Sequence, residues 1–153
     1  MKLLVINGPN LNLLGVREPG LYGTLDYKGV CNYIEEGCRE LGIEVEFYQS
    51  NHEGDLVDAI QQARGRVDGL VLNPGAYTHT SIAILDALKA VKLPAAEVHI
   101  TDINQREEFR KISYAGMACQ GHFIGQGVAG YRNACKFLRE YIITQEKSGE
   151  ETL

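Results

Sequence analysis

The segment KLLVI at residues 2–6 runs directly into NGPNLNLLGVREPGLYG at residues 7–23, and this transition decides the expected fold. The first segment is a short apolar run, typical of a strand buried in a parallel sheet. The second is a long connection, rich in asparagine and glycine, without helical periodicity. Connections of this length in a compact domain are usually lids or binding loops. Ligands of an open α/β sheet bind beyond the carboxyl ends of its strands, so we expect a site at this loop.

Four further apolar or alternating runs follow the first, and segments with helical periodicity separate them. The predicted strands cover residues 2–6, 43–49, 69–72, 95–100 and 119–125. Alternating strands and helices pack as a parallel sheet with helices on both faces and right-handed crossovers. The sequence therefore predicts an α/β fold, a flavodoxin-like doubly wound sheet of five parallel strands in the order 2-1-3-4-5.

The helices are predicted from apolar residues spaced three and four positions apart. The first ends at Gly42, the second begins near Gly54, and the third covers about residues 82–91. A short charged fourth helix is expected at residues 104–112, with two inward side chains, and the last helix uses apolar residues from 128 to 142. The inward pair is Phe109 and Ile112. Residues 1–144 are predicted to form a single flavodoxin-like domain, and residues 145–153 a polar, flexible C-terminal tail.

Length and charge narrow the class of protein. A chain of 153 residues has the length of one domain, and its net charge of −5 argues against nucleic acid as the main partner. No apolar run approaches the length of a membrane span, and the N-terminal apolar run is too short for a signal peptide. These features predict a cytoplasmic protein. The four cysteines show no zinc-like spacing and are interpreted as reduced, buried thiols.

Polar residues cluster where four of the predicted strands end, at residues 7–10, 50–53, 73–79 and 99–102. His99 follows Glu97 by two positions, which places both side chains on the same side of a strand. A carboxylate beside an imidazole fixes its tautomer and suits it to donate a proton. A structural core histidine is the alternative, but the position at a strand end favours the proton donor.

Arg17 and Tyr22 in the long loop form a second candidate pair. Tyrosine acts as a base only where a nearby cation stabilises its phenolate, and Arg17 is a candidate for that cation. On spacing alone, a surface ion pair between Arg17 and Glu18 is an equal alternative. The four histidines show no metal-binding spacing, so no metal site is predicted. Thr80 and Ser81 suit either an anion site or plain helix capping.

Four motifs in chain order, the last of them in two parts, resemble those of type II 3-dehydroquinate dehydratase, and the resemblance extends from residue 3 to about residue 142. The motifs are GPNLNLLG at 8–15 with REP at 17–19 and YG at 22–23, QSNHEG at 49–54, NPGAYTHTS at 73–81, EVH at 97–99 and REEFR at 106–110. The resemblance implies loss of water from 3-dehydroquinate by anti elimination through an enolate. The product is 3-dehydroshikimate, in the shikimate pathway, and no metal, cofactor or Schiff base takes part.

The same resemblance assigns catalytic roles to five residues. Tyr22 removes the C2 proton, and Arg17 favours its phenolate form. His99 protonates the departing C1 hydroxyl and Glu97 orients His99. Asn10 positions a water that stabilises the enolate oxygen. This reaction needs two groups, a base that removes the proton next to the ketone and an acid that protonates the poor leaving group.

The resemblance also assigns substrate-holding positions, with Arg110 on the ring hydroxyls, and implies a homododecamer built from trimers. These positions are Asn73, His79, Ile100, Thr101 and Arg110, together with Asp86 supplied by a neighbouring subunit. The family usually has Ser-Asn where Thr101-Asp102 stand here. The added carboxylate would weaken the binding of a substrate carboxylate, because like charges repel.

Two alternatives remain beside the dehydratase. The first is a flavodoxin-like binding module for flavin or a small anion, which the absence of a glycine-rich phosphate loop disfavours. The second is an inactive structural oligomer, which the intact Arg17, Tyr22 and His99 disfavour. Dehydration of this substrate serves both aromatic biosynthesis and quinate breakdown, and the sequence leaves that choice open.

Overall fold

The computed structural model describes residues 1–16 and 25–151 of the chain. Five parallel strands form one sheet in the order β2-β1-β3-β4-β5, so the predicted strand order is confirmed. The strands are β1 (Lys2–Asn7), β2 (Glu44–Gln49), β3 (Gly69–Asn73), β4 (Ala95–His99) and β5 (Gly121–Ile124). The helices are α1 (Tyr27–Glu40), α2 (Glu53–Ala63), α3 (Ile82–Val91) and α4 (Ala129–Glu151).

The core consists of two apolar layers, one on each face of the sheet. Alternation along β1 sends Leu3 and Val5 toward α1 and α4, and Leu4 and Ile6 toward α2 and α3. All of β1 after Lys2 is buried, as expected for a central parallel strand covered on both faces. Within the described ranges, no helix is both long enough and apolar enough to span a membrane.

Local hydrogen bonds explain where the helices begin and end. Asp26 caps α1 by accepting a hydrogen bond from the backbone N–H of Gly29 at 2.8 Å, and Gly42 follows the helix with φ +70°. Ser81 caps α3 by accepting from the backbone N–H of Ile84 at 3.0 Å. The structure therefore gives Ser81 the capping role of the two that its sequence allowed.

The predicted fourth helix at residues 104–112 is wrong. Two short 3-10 turns, Ile103–Gln105 and Glu108–Arg110, take its place. The Asp102 carboxylate caps the first turn through the backbone N–H of Asn104, and extended backbone at Arg106 separates the two turns. The predicted inward side chains, Phe109 and Ile112, are 69% and 52% exposed in the single chain.

The last helix is longer than the apolar periodicity indicated. It continues to Glu151, seven residues beyond the expected boundary at residue 144. The added turns are exposed and polar, and Ser148 donates a hydrogen bond to the carbonyl oxygen of Thr144. Strong helix formers such as Glu and Lys extend a helix without an apolar stripe, so periodicity gives no sign of them.

Candidate active site

A pocket at the carboxyl edge of the sheet collects most of the residues that the sequence singled out. The loops after β1, β3 and β4 form it, as expected for an open α/β sheet. Arg106 also lines this pocket, although the sequence analysis gave it no site role. The predicted residues that line it are Asn10, Asn73, His79, His99, Ile100, Thr101 and Arg110.

The floor of the pocket depends on close contact between the loops that follow β1 and β3. The backbone N–H of Gly8 donates to the carbonyl oxygen of Asn73 at 2.8 Å. A Cβ atom at Gly8 would lie 2.2 Å from the carbonyl oxygen of Pro74, so only glycine fits there. Asn10 has φ +70°, and its backbone N–H donates to the Asn51 side chain at 3.0 Å. These contacts fix the start of the long loop against the sheet edge.

The Asn73 side chain is held by a buried hydroxyl from α4. Its amide nitrogen donates to the Tyr131 hydroxyl at 2.8 Å, and that hydroxyl donates to the Asn7 amide oxygen at 2.6 Å. The Asn73 amide oxygen accepts from the backbone N–H of Gly75 at 3.2 Å. Burial raises the pKa of Tyr131, so its hydroxyl remains neutral. In the sequence Tyr131 fits the apolar periodicity of the last helix, and that pattern gives no sign of this contact.

His99 and Glu97 form the central pair of the site. His99 Nε2 lies 2.7 Å from Glu97 Oε1, and both residues are buried. Thr78 donates to the same oxygen at 3.0 Å, and the Ser113 hydroxyl also donates to it. The spacing of Glu97 and His99 predicted the pair. Thr78 and Ser113 were not predicted, because they come from other segments of the chain.

The Glu97 carboxylate is ionised although it is buried. Burial raises the pKa of this group, but hydrogen bonds from His99, Ser113 and His122, with the charge of His99, together lower it to about 2. An ionised carboxylate only accepts hydrogen bonds, so His99 Nε2 carries a hydrogen. That assignment leaves His99 Nδ1 for chemistry in the pocket.

The other ionisable groups at the pocket are a histidine and two arginines. His79 Nδ1 lies 2.7 Å from the carbonyl oxygen of Ile112, and its ring centroid lies 6.4 Å from that of His99. Burial lowers the pKa of His79, which favours the neutral ring. Arg110 is held by Glu107 at 2.7 Å. The arginines make this wall of the pocket suitable for an anionic or polyhydroxyl ligand.

Besides Glu97, which contacts His99, three predicted site residues are not among those that line the pocket, and only one of these three, Asp86, belongs to the described part of the chain. Asp86 is exposed on α3 and is not among the residues that line the pocket in the described part of the chain. Arg17 and Tyr22 lie outside the described residues. Asp102, the unusual acid beside Thr101, uses its carboxylate to cap the turn at Ile103–Gln105. In residues 1–16 and 25–151, no group of three His, Cys, Asp or Glu side chains is placed to hold a metal ion.

Comparison with known proteins identifies the family. The family model described as "Dehydroquinase class II" matches residues 1–139. The chain belongs to the class II dehydroquinase family. A 3-dehydroquinate dehydratase of Caldicellulosiruptor bescii is 52% identical to this class II dehydroquinase over 142 residues, covering 92% of this chain and 98% of the relative.

Solved structures of other class II dehydroquinases share the fold. The crystal structure of a type II dehydroquinase from Butyrivibrio crossotus gives a TM-score of 0.89 at 53% identity, covering 91% of this chain and 97% of that one. A type II dehydroquinase from Propionibacterium acnes gives a TM-score of 0.86 at 42% identity, covering 90% and 94%.

Proposed function

We propose that this class II dehydroquinase converts 3-dehydroquinate to 3-dehydroshikimate by anti elimination of water through an enolate. The observation that carries the proposal is the buried Glu97–His99 pair at the edge of a pocket that two arginines also line. Hydroxide is a poor leaving group and needs a general acid. His99 is that acid and protonates the departing C1 hydroxyl. Glu97 orients the ring and stabilises its protonated form.

The base side of the reaction is proposed from the loop motif. Tyr22 removes the C2 proton, which the adjacent ketone makes acidic, and Arg17 stabilises the phenolate. Support comes from the family to which the chain belongs and from the anchored start of the loop at Asn10. Asn10 positions a water against the enolate oxygen.

The substrate is held by groups that surround His99. Backbone N–H groups at Ile100 and Thr101, with the Thr101 hydroxyl, suit the substrate carboxylate. Arg110 binds ring hydroxyls. The side chains of Asn73 and His79 supply further hydrogen bonds from the β3 side. Because the Asp102 carboxylate accepts a hydrogen bond from the backbone N–H of Asn104, its charge is partly compensated, which reduces its repulsion of the substrate.

The active assembly is proposed to be a homododecamer built from trimers, in the cytoplasm. In this assembly Asp86 is assigned to the pocket of a neighbouring subunit, and its exposure in its own chain is consistent with that assignment. Ile82, one helical turn before Asp86, is 55% exposed, and Phe109 and Ile112 also present apolar surface. Exposed apolar groups of this kind mark protein interfaces. Light scattering after gel filtration should give about 200 kDa for twelve copies of the chain, and a monomer mass would contradict the assembly.

The function is tested by adding 3-dehydroquinate and following the ultraviolet absorbance of the conjugated product. We expect product from the wild type, and a loss of at least about 100-fold in kcat for His99→Ala and for Tyr22→Phe. Tyr141→Phe is the matched control, since Tyr141 stacks on Phe137 away from the pocket. No product from the wild type would overturn the function. Wild-type rates in Tyr22→Phe would overturn the base, and borohydride inactivation with substrate present would indicate a lysine imine instead.

A further inference from the structure

A second histidine contacts the carboxylate that orients His99. Strands β4 and β5 pair in parallel with Glu97 opposite His122, so both side chains lie on the same face of the sheet. His122 Nδ1 lies 3.1 Å from Glu97 Oε2, whereas His99 Nε2 lies 2.7 Å from Oε1. The Glu97 side chain is 1% exposed and that of His122 is 47% exposed. The carboxylate thus lies between one imidazole at the pocket and another at the surface.

The ionised carboxylate determines which nitrogen of each ring carries a hydrogen. It has no proton to donate, so each contacting nitrogen must be an N–H donor. His99 therefore donates from Nε2 and His122 donates from Nδ1. The two rings share a single negative charge, and a change in one ring alters the charge available to the other.

The other side chains next to the Glu97 carboxylate stay uncharged near neutral pH. Thr78 and Ser113 donate neutral hydroxyls to Oε1. Burial, with the charge of Glu97, raises the pKa of the Cys119 thiol to about 12, so the thiol remains protonated. On the pocket side of His99 stand His79, Arg106 and Arg110. Arg139 and Glu140 belong to α4 on the opposite face of the sheet from Glu97.

We propose that His122 is a positioning residue for the dehydration and acts on His99 through Glu97. By donating Nδ1–H to Oε2, it draws part of the carboxylate's charge away from His99. His99 then holds its proton less tightly and transfers it more readily to the leaving hydroxyl. This inference rests on the proposed function, since it assigns His99 as the general acid.

Removing the donor reverses this effect. In His122→Leu the full charge of Glu97 acts on His99, and the ring keeps its proton to higher pH. The variant is expected to lower kcat about fivefold on the plateau of the pH profile below its alkaline limb, the effect of roughly one hydrogen bond, with KM changed by less than about twofold. In the same variant, the alkaline limb of the plot of kcat against pH moves to higher pH.

His122→Asn is the matched control. The amide nitrogen of Asn is as many bonds from Cα as His Nδ1, so it places an uncharged donor at the same position. We expect kcat and the alkaline limb to return close to wild-type values. His122→Leu with wild-type kcat and an unshifted limb would overturn the proposal. So would an Asn variant as impaired as the Leu variant while both show wild-type thermal unfolding, because the donor would then not matter.

The contact itself is tested without substrate. Magic-angle-spinning NMR of protein labelled with ¹⁵N-histidine should show His122 as the Nδ1–H tautomer near neutral pH, and His99 with a hydrogen on Nε2. The signals of His122 are assigned as those that disappear in His122→Asn. An Nε2–H tautomer of His122 would overturn the contact and the proposal, even in a fully active enzyme. A wild type that shows the expected tautomers but forms no product would instead overturn the proposed function.

Discussion

At the scale of single residues, Glu97 is the group whose state matters most to the site. The i, i+2 spacing of Glu97 and His99 was enough to predict that the two side chains share one side of a strand. Thr78, Ser113 and His122 were not predictable as partners, because they reach the carboxylate from other segments that only the fold brings together. The spacing along one strand shows which of its side chains share a face. It does not show which side chains from other segments contact that face.

The ionised Glu97 predicts a loss of stability in acid. Its pKa is about 2 in the folded protein against an ordinary value of 4.5. A depressed pKa contributes stability above about pH 4.5, and this contribution is lost as the pH falls toward 2. Its size is about 3 kcal/mol at full strength. Denaturant titrations between about pH 5 and pH 3 should therefore show a smaller fall in the free energy of unfolding for Glu97→Gln than for the wild type.

Glu46→Gln is the control for that comparison. Glu46 is a partly exposed carboxylate on β2, which is an edge strand of the sheet. Hydrogen bonds from Lys2 and Arg66 lower its pKa. Solvent screens such a group, so its removal should change the acid dependence much less. If stability falls equally with pH in the wild type and in Glu97→Gln, the buried carboxylate is not the source of the loss of stability in acid.

Gly116 predicts a steric effect on the same carboxylate. A Cβ atom there would lie 2.2 Å from Glu97 Oε2 and 2.9 Å from the Ser113 hydroxyl oxygen. Gly116→Ala should lower the free energy of unfolding by about 1–3 kcal/mol and reduce kcat, because the carboxylate must shift. The control is Gly54→Ala in the first turn of α2, where no atom lies within 4 Å of the added Cβ. That change should be neutral or stabilise by up to about 1 kcal/mol. Equal melting temperatures for the two variants would contradict the steric argument.

At the scale of elements, α4 is tied to the sheet at the site by one hydroxyl. Tyr131→Phe leaves the amides of Asn7 and Asn73 without their shared partner in a buried position. We expect a loss of about 1–3 kcal/mol in the free energy of unfolding and a raised KM, because Asn73 is no longer held. Denaturant titration and steady-state kinetics measure the two effects.

Tyr141→Phe on the same helix is the control for that prediction. The Tyr141 ring stacks on Phe137, and its hydroxyl takes no part in the network at Asn7 and Asn73. The Tyr141→Phe variant should keep the free energy of unfolding and KM close to their wild-type values. A Tyr131→Phe enzyme with unchanged KM but reduced stability would confine Tyr131 to a structural role.

The elements themselves were predictable in proportion to their apolar periodicity. Five apolar or alternating runs gave all five strands. The central strands β1, β3 and β4 are buried on both faces, whereas the edge strands β2 and β5 are only partly buried. The segment at residues 104–112 was misread, since Phe109 and Ile112 have the three-residue spacing of a buried helix face yet stay exposed in the single chain. The end of α4 was missed for the opposite reason, because its last turns are helical without an apolar face.

At the scale of the whole molecule, the proposed site is divided between chains. The pocket contains His99, but Asp86 is exposed on α3 of the same chain. If a neighbouring subunit supplies Asp86, a site needs His99 from one copy and Asp86 from another. No property of the isolated sequence other than family resemblance indicates this division, because contacts between copies leave no periodic pattern in one chain.

The division predicts complementation between two inactive variants. Asp86→Ala and His99→Ala should each be inactive alone, yet co-expression should form sites with an intact His99 from the first chain and an intact Asp86 from the second. Random mixing gives about a quarter of the wild-type sites per protomer. The activity of the co-purified mixture, measured by product absorbance, checks this prediction. Co-expression of His99→Ala with Glu97→Gln is the control, because both changes lie in the same pocket and mixing cannot restore an intact site. Activity no higher than that of the separate variants, in assemblies of the expected mass, would show that Asp86 does not act in a neighbouring site.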